Sequence, residues 1–160
     1  MDRFHSLSHE EAAAELMSCC AVRAWAEQMS SLRPFLDEPT LVAEGRKLAE
    51  QLSWPEVLEA LSAHPRIGER LAARTAEASW SRQEQSGVAA DSQDALVAGN
   101  FAYESRFGHI FLICATGLSG GQILAELQRR LENDAAHERV VVRQELAKIV
   151  ELRLRKLVMS

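Results

Sequence analysis

The chain has 160 residues, of which 47% are hydrophobic and 26% are charged. This length suffices to bury one hydrophobic core and is short for two typical domains, so we expect a single domain over residues 1–160. The formal net charge of -5 argues against a nucleic-acid partner, because phosphates attract clustered basic surfaces. The start lacks the plan of a signal peptide, and no apolar run approaches the roughly 20 residues that span a membrane. We therefore expect a cytoplasmic protein without a membrane partner.

The cysteines and histidines do not predict a metal site. Cys19, Cys20 and Cys114 form an odd set with one adjacent pair, which suits neither a disulfide framework nor the usual zinc spacing. We expect reduced, mostly buried thiols. Four histidines also lack metal-ligand spacing. They are His5, His9, His109 and His137.

The first third of the chain carries helical signals. Ser8 followed by Glu11 is a capping-box pattern, and the apolar residues behind it predict one helix that extends to about Met29. Residues 33–39 contain two prolines and predict a turn. A second apolar stripe with helical spacing follows, made of Leu41, Gly45, Leu48 and Leu52.

His64 is the first candidate for chemistry. Ser53 and Glu56 form another capping-box pattern and predict a helix that ends near Ala63. His64 precedes Pro65, which disfavours α geometry, and Gly68 interrupts the helix again, so residues 64–68 are expected to be a shaped loop. A fixed imidazole can both donate and accept protons near neutral pH. On this pattern alone, a hydrogen-bonded structural histidine is the more common alternative.

The second half also predicts helices. Gly108 is placed as the residue that ends a helix. The apolar run 110–114 is compatible with a buried helical turn or with irregular backbone. Ser119 with Gln122 caps the next helix, and residues 133–134 begin a last long helix. The helix before Gly108 carries Leu96, Asn100, Tyr103 and Phe107.

Two further polar features are candidates for ligand binding. Ser81 and Glu84, followed by Gln85, have capping-box spacing, so their default role is to satisfy amide donors at a helix start. A helix start also favours an anionic or carbonyl-bearing ligand, and both roles can coexist. Arg153 falls within the apolar stripe of the last helix, where it needs an anion: a ligand, or a protein carboxylate in an internal ion pair. Arg155 falls on the face of this helix that is expected to be exposed to solvent, where a surface charge is the ordinary case.

Together these motifs resemble the 2-oxo-4-hydroxy-4-carboxy-5-ureidoimidazoline (OHCU) decarboxylase family over nearly the whole chain. The most specific signature is residues 64–68, His-Pro-Arg-Ile-Gly, and residues 109–110 depart from the Phe-Pro that some members carry. The other matching segments are Cys19–Cys20, Trp25–Ala26, Arg33–Phe35, Ser81 with Glu84–Gln85, Asn100 to Glu104, Arg106–Gly108, Phe111–Ile113, Arg130–Leu131, Asn133–Asp134, Glu145–Leu146, Lys148–Ile149 and Arg153–Leu154.

The resemblance implies a compact all-α bundle, usually a homodimer, that needs neither metal nor organic cofactor. Its substrate is a small anionic ureide, which it converts to (S)-allantoin with loss of carbon dioxide. On this basis we assign catalytic roles to His64, Glu84 and Arg153. Two other interpretations stay open: a helical binding module without catalysis, and a hydrolase of the same ureide pathway. The implied substrate-contacting residues are Pro65, Ser81, Gln85 and the backbone of Phe111, Leu112, Ile113, Cys114 and Ala115.

Overall fold

The computed structural model describes residues 1–67 and 86–160 and, of residues 86–92, the backbone alone. No strand occurs in these ranges, which confirms the all-α prediction. The chain divides into two compact units, one of Met1–Ala63 with Val140–Ser160 and one of His64–Arg139. The expectation of a single domain stays a prediction. The described helices are α1 (Asp2–Ser6), α2 (His9–Leu16), α3 (Arg23–Ser31), α4 (Glu38–Glu50), α5 (Trp54–Leu61), α6 (Ser86–Phe107), α7 (Gly120–Arg130) and α8 (Ala135–Met159).

The starts of α2, α5 and α7 lie where the capping-box patterns predict them. Each capping box contains two reciprocal hydrogen bonds. The serine hydroxyl accepts from the backbone N–H of the glutamate or glutamine three residues later, and the side chain of that residue accepts from the serine N–H. The turn predicted over residues 33–39 ends earlier, at Asp37, which caps α4 because its carboxylate accepts from the Thr40 N–H at 2.8 Å. The three capping boxes are Ser8–Glu11, Ser53–Glu56 and Ser119–Gln122.

The prediction of one long first helix is wrong, because α2 and α3 flank a partly buried turn at residues 17–22. Ser18 Oγ donates to the Glu15 carbonyl at 2.6 Å, a local bond of the kind that competes with helix continuation. Val22 is extended, with φ of -121° and ψ of 111°, and it is buried together with the cysteine pair. Tertiary burial of this turn outweighs the helical propensity of the surrounding sequence.

Helices α4 and α8 approach closely at Gly45. The indole Nε1 of Trp25 donates to the Gly45 carbonyl at 3.1 Å. A Cβ added to this glycine would clash with Leu154 Cδ1 and would lie 3.3 Å from Met29 Cε. The glycine in the predicted apolar stripe of α4 therefore serves close helix packing within the first unit.

The second unit contains α6, α7 and the start of α8. Gly108 ends α6 with a φ of 78°, which glycine adopts readily, as predicted. Residues 109–119 are non-helical, so irregular backbone is the correct choice for the run 110–114. The hydrophobic core of this unit consists of Ile67, Leu96, Tyr103, Phe111, Ile113, Ala115, Ile123 and Leu127.

Candidate functional site

His64 follows directly on the last turn of α5. The Ala63 N–H donates back into the helix at 3.2 Å, and Pro65 then disfavours continuation. Residues 64–66 are non-helical, as predicted, whereas Ile67, which the prediction placed in the loop, is helical. His64 is 8% exposed, whereas Pro65 is exposed. The imidazole is therefore buried at a helix-to-loop junction, where its backbone has little freedom.

The loop that carries His64 is attached to the second unit just beyond the imidazole. Arg66 Nε donates to Glu104 Oε1 on α6 at 2.7 Å. Half of the Arg66 side chain is exposed, so this ion pair adds little stability in itself. Ile67 is 3% exposed and belongs to the core of this unit. One polar and one apolar contact thus restrain the loop.

Most side chains of the segment 111–115 are buried in the hydrophobic core, so its backbone is the part considered for ligand binding. Phe111, Ile113 and Ala115 belong to the core of the second unit. Leu112 is buried outside that cluster, and Cys114 is half-buried. This alternation is typical of extended chain. The side chains of Phe111, Ile113 and Ala115 pack into the core, and the expectation that backbone groups of this segment contact a ligand stays a prediction.

Arg153 lies on α8 in the first unit, whereas His64 lies in the second. Its Nη1 donates to the Ser18 carbonyl at 3.4 Å, at an exposed position of the turn between α2 and α3. Within residues 1–67 and 93–160 no carboxylate forms an ion pair with Arg153, so these ranges do not contain the internal ion pair considered above. Arg155, in contrast, pairs with Glu151 at 2.7 Å, as expected for a surface charge.

The cysteine pair beside Arg153 is buried and unreactive by environment. Cys19 and Cys20 are 1% and 0% exposed, and neither they nor Cys114 form a disulfide in the described parts of the chain. Burial raises the pKa of Cys19 from 9.0 to about 11 and that of Cys20 to about 12, although the Arg153 charge opposes the shift. The expectation of reduced, mostly buried thiols is confirmed.

We expect the protein to lose stability as the pH rises from 9 to 10. In the unfolded chain the Cys19 and Cys20 thiols ionise near 9.0, whereas in the folded protein they hold their protons to about pH 11 and 12. The unfolded state then binds fewer protons, so the free energy of unfolding falls, by at most about 1.4 kcal/mol per pH unit for each thiol. Urea denaturation at several pH values measures this slope. A Cys20→Ala variant should show a shallower slope, and an unchanged slope would contradict the assignment.

Several predicted site residues lie outside the described residues. These are Ser81, Glu84 and Gln85, and their assigned roles stay predictions. In the described parts of the chain, no group of three or more His, Cys, Asp or Glu side chains is placed to hold a metal ion. No helix in those parts is long and apolar enough to cross a membrane.

Sequence reasoning missed a buried ion pair between Arg130 and Glu138. Both side chains are 0% exposed. Arg130 Nε donates to Glu138 Oε1 at 2.7 Å, and the Tyr103 hydroxyl donates to the same oxygen at 2.7 Å. Burial raises the pKa of Tyr103, and the hydrogen bond to Glu138 raises it further. An arginine ending one helix and a glutamate starting the next usually complement helix dipoles at the surface, so sequence gives no signal for this pair.

The comparisons with known proteins agree on one family. A family model described as OHCU decarboxylase matches residues 5–155. The 2-oxo-4-hydroxy-4-carboxy-5-ureidoimidazoline decarboxylase of Amia calva is 32% identical over 166 residues, covering 99% of this chain and 94% of that protein. The uric acid degradation bifunctional protein TTL of Arabidopsis thaliana is 32% identical over 145 residues. This chain spans 45% of the length of that bifunctional relative.

Two solved structures have the same fold. A crystal structure of OHCU decarboxylase in the presence of (S)-allantoin matches with a TM-score of 0.72 and 32% identity, over 91% of this chain and 98% of that one. A crystal structure of (S)-allantoin synthase matches with a TM-score of 0.73 over 98% of this chain and 53% of that one, and at 20% identity it shows the fold alone. The family match over almost the full length, together with this fold, shows that the chain belongs to the OHCU decarboxylase family.

Proposed function

We propose that this chain is a carboxy-lyase that decarboxylates 2-oxo-4-hydroxy-4-carboxy-5-ureidoimidazoline to (S)-allantoin in urate breakdown. The observation that carries the proposal is the family match over residues 5–155. The family signature at residues 64–68 supports it, because its first residue is a buried imidazole on a restrained loop. Relatives named for this reaction share 29% to 32% of their aligned residues with the chain.

The substrate itself can supply the electron sink for this reaction. Its carboxylate is attached to a tetrahedral carbon that also bears a hydroxyl and adjoins an unsaturated ring. When the bond to the carboxylate breaks, carbon dioxide leaves and the bonding electron pair flows into the ring. The protein then has to orient that bond and to manage protons. The proposal therefore includes no metal and no organic cofactor.

The proton steps are assigned to His64, supported by Glu84. His64 would accept a proton from the substrate hydroxyl, which becomes a ring carbonyl, and deliver a proton to the adjoining ring carbon that bears the ureido group. Delivery from one side gives a single enantiomer. A neutral imidazole and its protonated form serve the two steps in turn, which a residue that titrates near neutrality can do.

Arg153 is expected to bind a ring oxygen of the substrate at least as strongly as it binds the carboxylate. A guanidinium that bound the carboxylate most tightly would stabilise the ground state, whose charge has to leave that group. Held against a carbonyl or a developing ring oxyanion, the same charge stabilises the transition state. Ser81 and Gln85 would hydrogen-bond the ureido arm, while Pro65 and the backbone of residues 111–115 would line the pocket.

Freshly generated substrate tests the proposed function. Uricase with hydroxyisourate hydrolase produces the ureidoimidazoline in situ, and circular dichroism follows the appearance of optically active allantoin above the racemic background. We expect the chain to accelerate formation of the (S) enantiomer. Ligand binding without acceleration would instead favour the binding module, and consumption of the substrate without carbon dioxide release would favour the hydrolase.

The proposal extends to assembly and location. We propose that the chain acts as a homodimer in the cytoplasm, as the family resemblance implies. Light scattering coupled to size-exclusion chromatography measures the assembly state, and a mass near twice 17.8 kDa is expected. A monomer at the concentrations of the activity assay would contradict the dimer.

A further inference from the structure

The Arg130–Glu138 ion pair is placed at the junction of two helices and the segment 111–115. Arg130 ends α7, and Glu138 lies in the first turn of α8. Beside the hydrogen bond from Nε, Arg130 Nη2 lies 2.6 Å from the same carboxylate oxygen. Well-packed apolar side chains often give equal or greater stability than a buried ion pair. Stability alone therefore does not account for two charges at this position.

The third nitrogen of the guanidinium contacts the candidate site. Arg130 Nη1 donates to the carbonyl of Leu112 at 2.7 Å, within the segment expected to contact substrate. The guanidinium also lies over the ring of Phe111, 4.5 Å from its centroid. Arg130 thus connects the carboxylate of Glu138 to one backbone carbonyl of that segment.

Glu138 is fixed from further directions. Its Oε1 also accepts from the Tyr103 hydroxyl at 2.7 Å, and its Oε2 accepts from Asn133 Nδ2 at 3.0 Å. The Tyr103 ring lies 5.8 Å from the Arg130 guanidinium carbon. Glu138 is buried and held by these hydrogen bonds, so it fixes the position of the Arg130 guanidinium. Arg130 in turn holds the Leu112 carbonyl in one direction.

The direction of that carbonyl determines the direction of the next amide. The peptide between Leu112 and Ile113 is trans, since the cis bond in the described chain is Arg33–Pro34. In a trans peptide the C=O and N–H groups point in opposite directions, so the Ile113 N–H points away from Arg130. Ile113 is 2% exposed, and no described residue accepts a backbone hydrogen bond from its N–H. Buried amides normally have an acceptor.

We propose that Arg130 is a positioning residue for the decarboxylation, which fixes the Leu112–Ile113 peptide and thereby aims the Ile113 N–H at an anionic oxygen of the ureide. The inference rests on the proposed function. A cation that donates to the carbonyl polarises the whole peptide group, so the N–H at its other end becomes a stronger donor. Such a preoriented donor stabilises charge that develops in a transition state.

The test compares Arg130→Lys with Arg129→Lys. Lysine at position 130 keeps the charge but cannot bond the Glu138 carboxylate and the Leu112 carbonyl together in the planar geometry of a guanidinium. Arg129 is exposed on the same helix and pairs with Glu126, so the same substitution there leaves the contacts of Arg130 in place. For Arg130→Lys we expect kcat to fall at least about tenfold with KM little changed, whereas for Arg129→Lys kcat should stay within about twofold of the parent value. Equal kcat values for the two variants would overturn the proposal.

A second readout is independent of turnover. In the ¹⁵N-labelled parent protein, saturation with (S)-allantoin should move the Ile113 amide proton resonance downfield, and in Arg130→Lys this shift should shrink. If Arg130→Lys does not fold, the parent spectrum decides, because an Ile113 amide that stays unmoved under saturating (S)-allantoin would overturn the proposal. Absence of decarboxylation by the parent would be a failure of the proposed function instead, and the amide shift would still report on Ile113.

Discussion

Replacing His64 with alanine is expected to lower kcat for decarboxylation by about 10²- to 10⁴-fold, the usual range for losing a positioned acid and base. The imidazole is 8% exposed and follows the end of α5, so its loss removes a proton-transfer group and no helix cap. The uncatalysed reaction protonates either face. Allantoin formed by the variant should therefore approach the racemic mixture, which circular dichroism of the product measures directly.

The control for this variant is His137→Ala. His137 is exposed at the start of α8, and the hydrogen bond that it makes to Asp134 comes from its backbone N–H, which alanine retains. We expect this variant to keep the parent rate and the parent enantiomer. For His64→Ala the thermal midpoint should change by no more than about 4 °C. A His64→Ala protein that still produced one enantiomer at the parent rate would refute the assignment of His64.

The parts of the fold that sequence predicts are those set by short-range chemistry. The three serine capping boxes and the Gly108 helix end need only a few consecutive residues, and the structure has them where expected. The His64 loop is of the same kind, because a proline acts on the residue immediately before it. Short-range rules were therefore enough to predict that His64 lies in a loop directly after a helix.

The features that sequence did not predict depend on distant residues. The turn at residues 17–22 replaces a helix because three of its side chains, those of Cys19, Cys20 and Val22, become buried. The Ser18 carbonyl also accepts a hydrogen bond from Arg153, which lies 135 positions later in the chain. Arg130 similarly bonds Leu112, 18 positions earlier. Helical periodicity contains no information about such partners. A search of the sequence for reactive groups therefore does not find side chains such as that of Arg130, whose contacts fix the position of a backbone segment.

Replacing Arg153 with lysine is expected to lower kcat/KM by about 10- to 100-fold, equivalent to about 1.4 to 2.7 kcal/mol. Lysine retains the positive charge but loses the planar set of donors that recognises two oxygens together. The effect on stability should be small, because the described hydrogen bond of Arg153, to the Ser18 carbonyl, is long at 3.4 Å and exposed. Steady-state kinetics with freshly generated substrate measures the loss.

The separate values of kcat and KM then decide which oxygen Arg153 binds. If the guanidinium mainly holds the carboxylate in the ground state, Arg153→Lys raises KM and leaves kcat unchanged or higher. If it stabilises a ring oxyanion, kcat falls and KM changes little, which is the result we expect. Arg155→Lys is the matched control, because Arg155 lies on the same helix and pairs with Glu151 at the surface. Kinetics of Arg153→Lys equal to those of this control would remove Arg153 from the mechanism and leave the substrate oxygens to backbone amides.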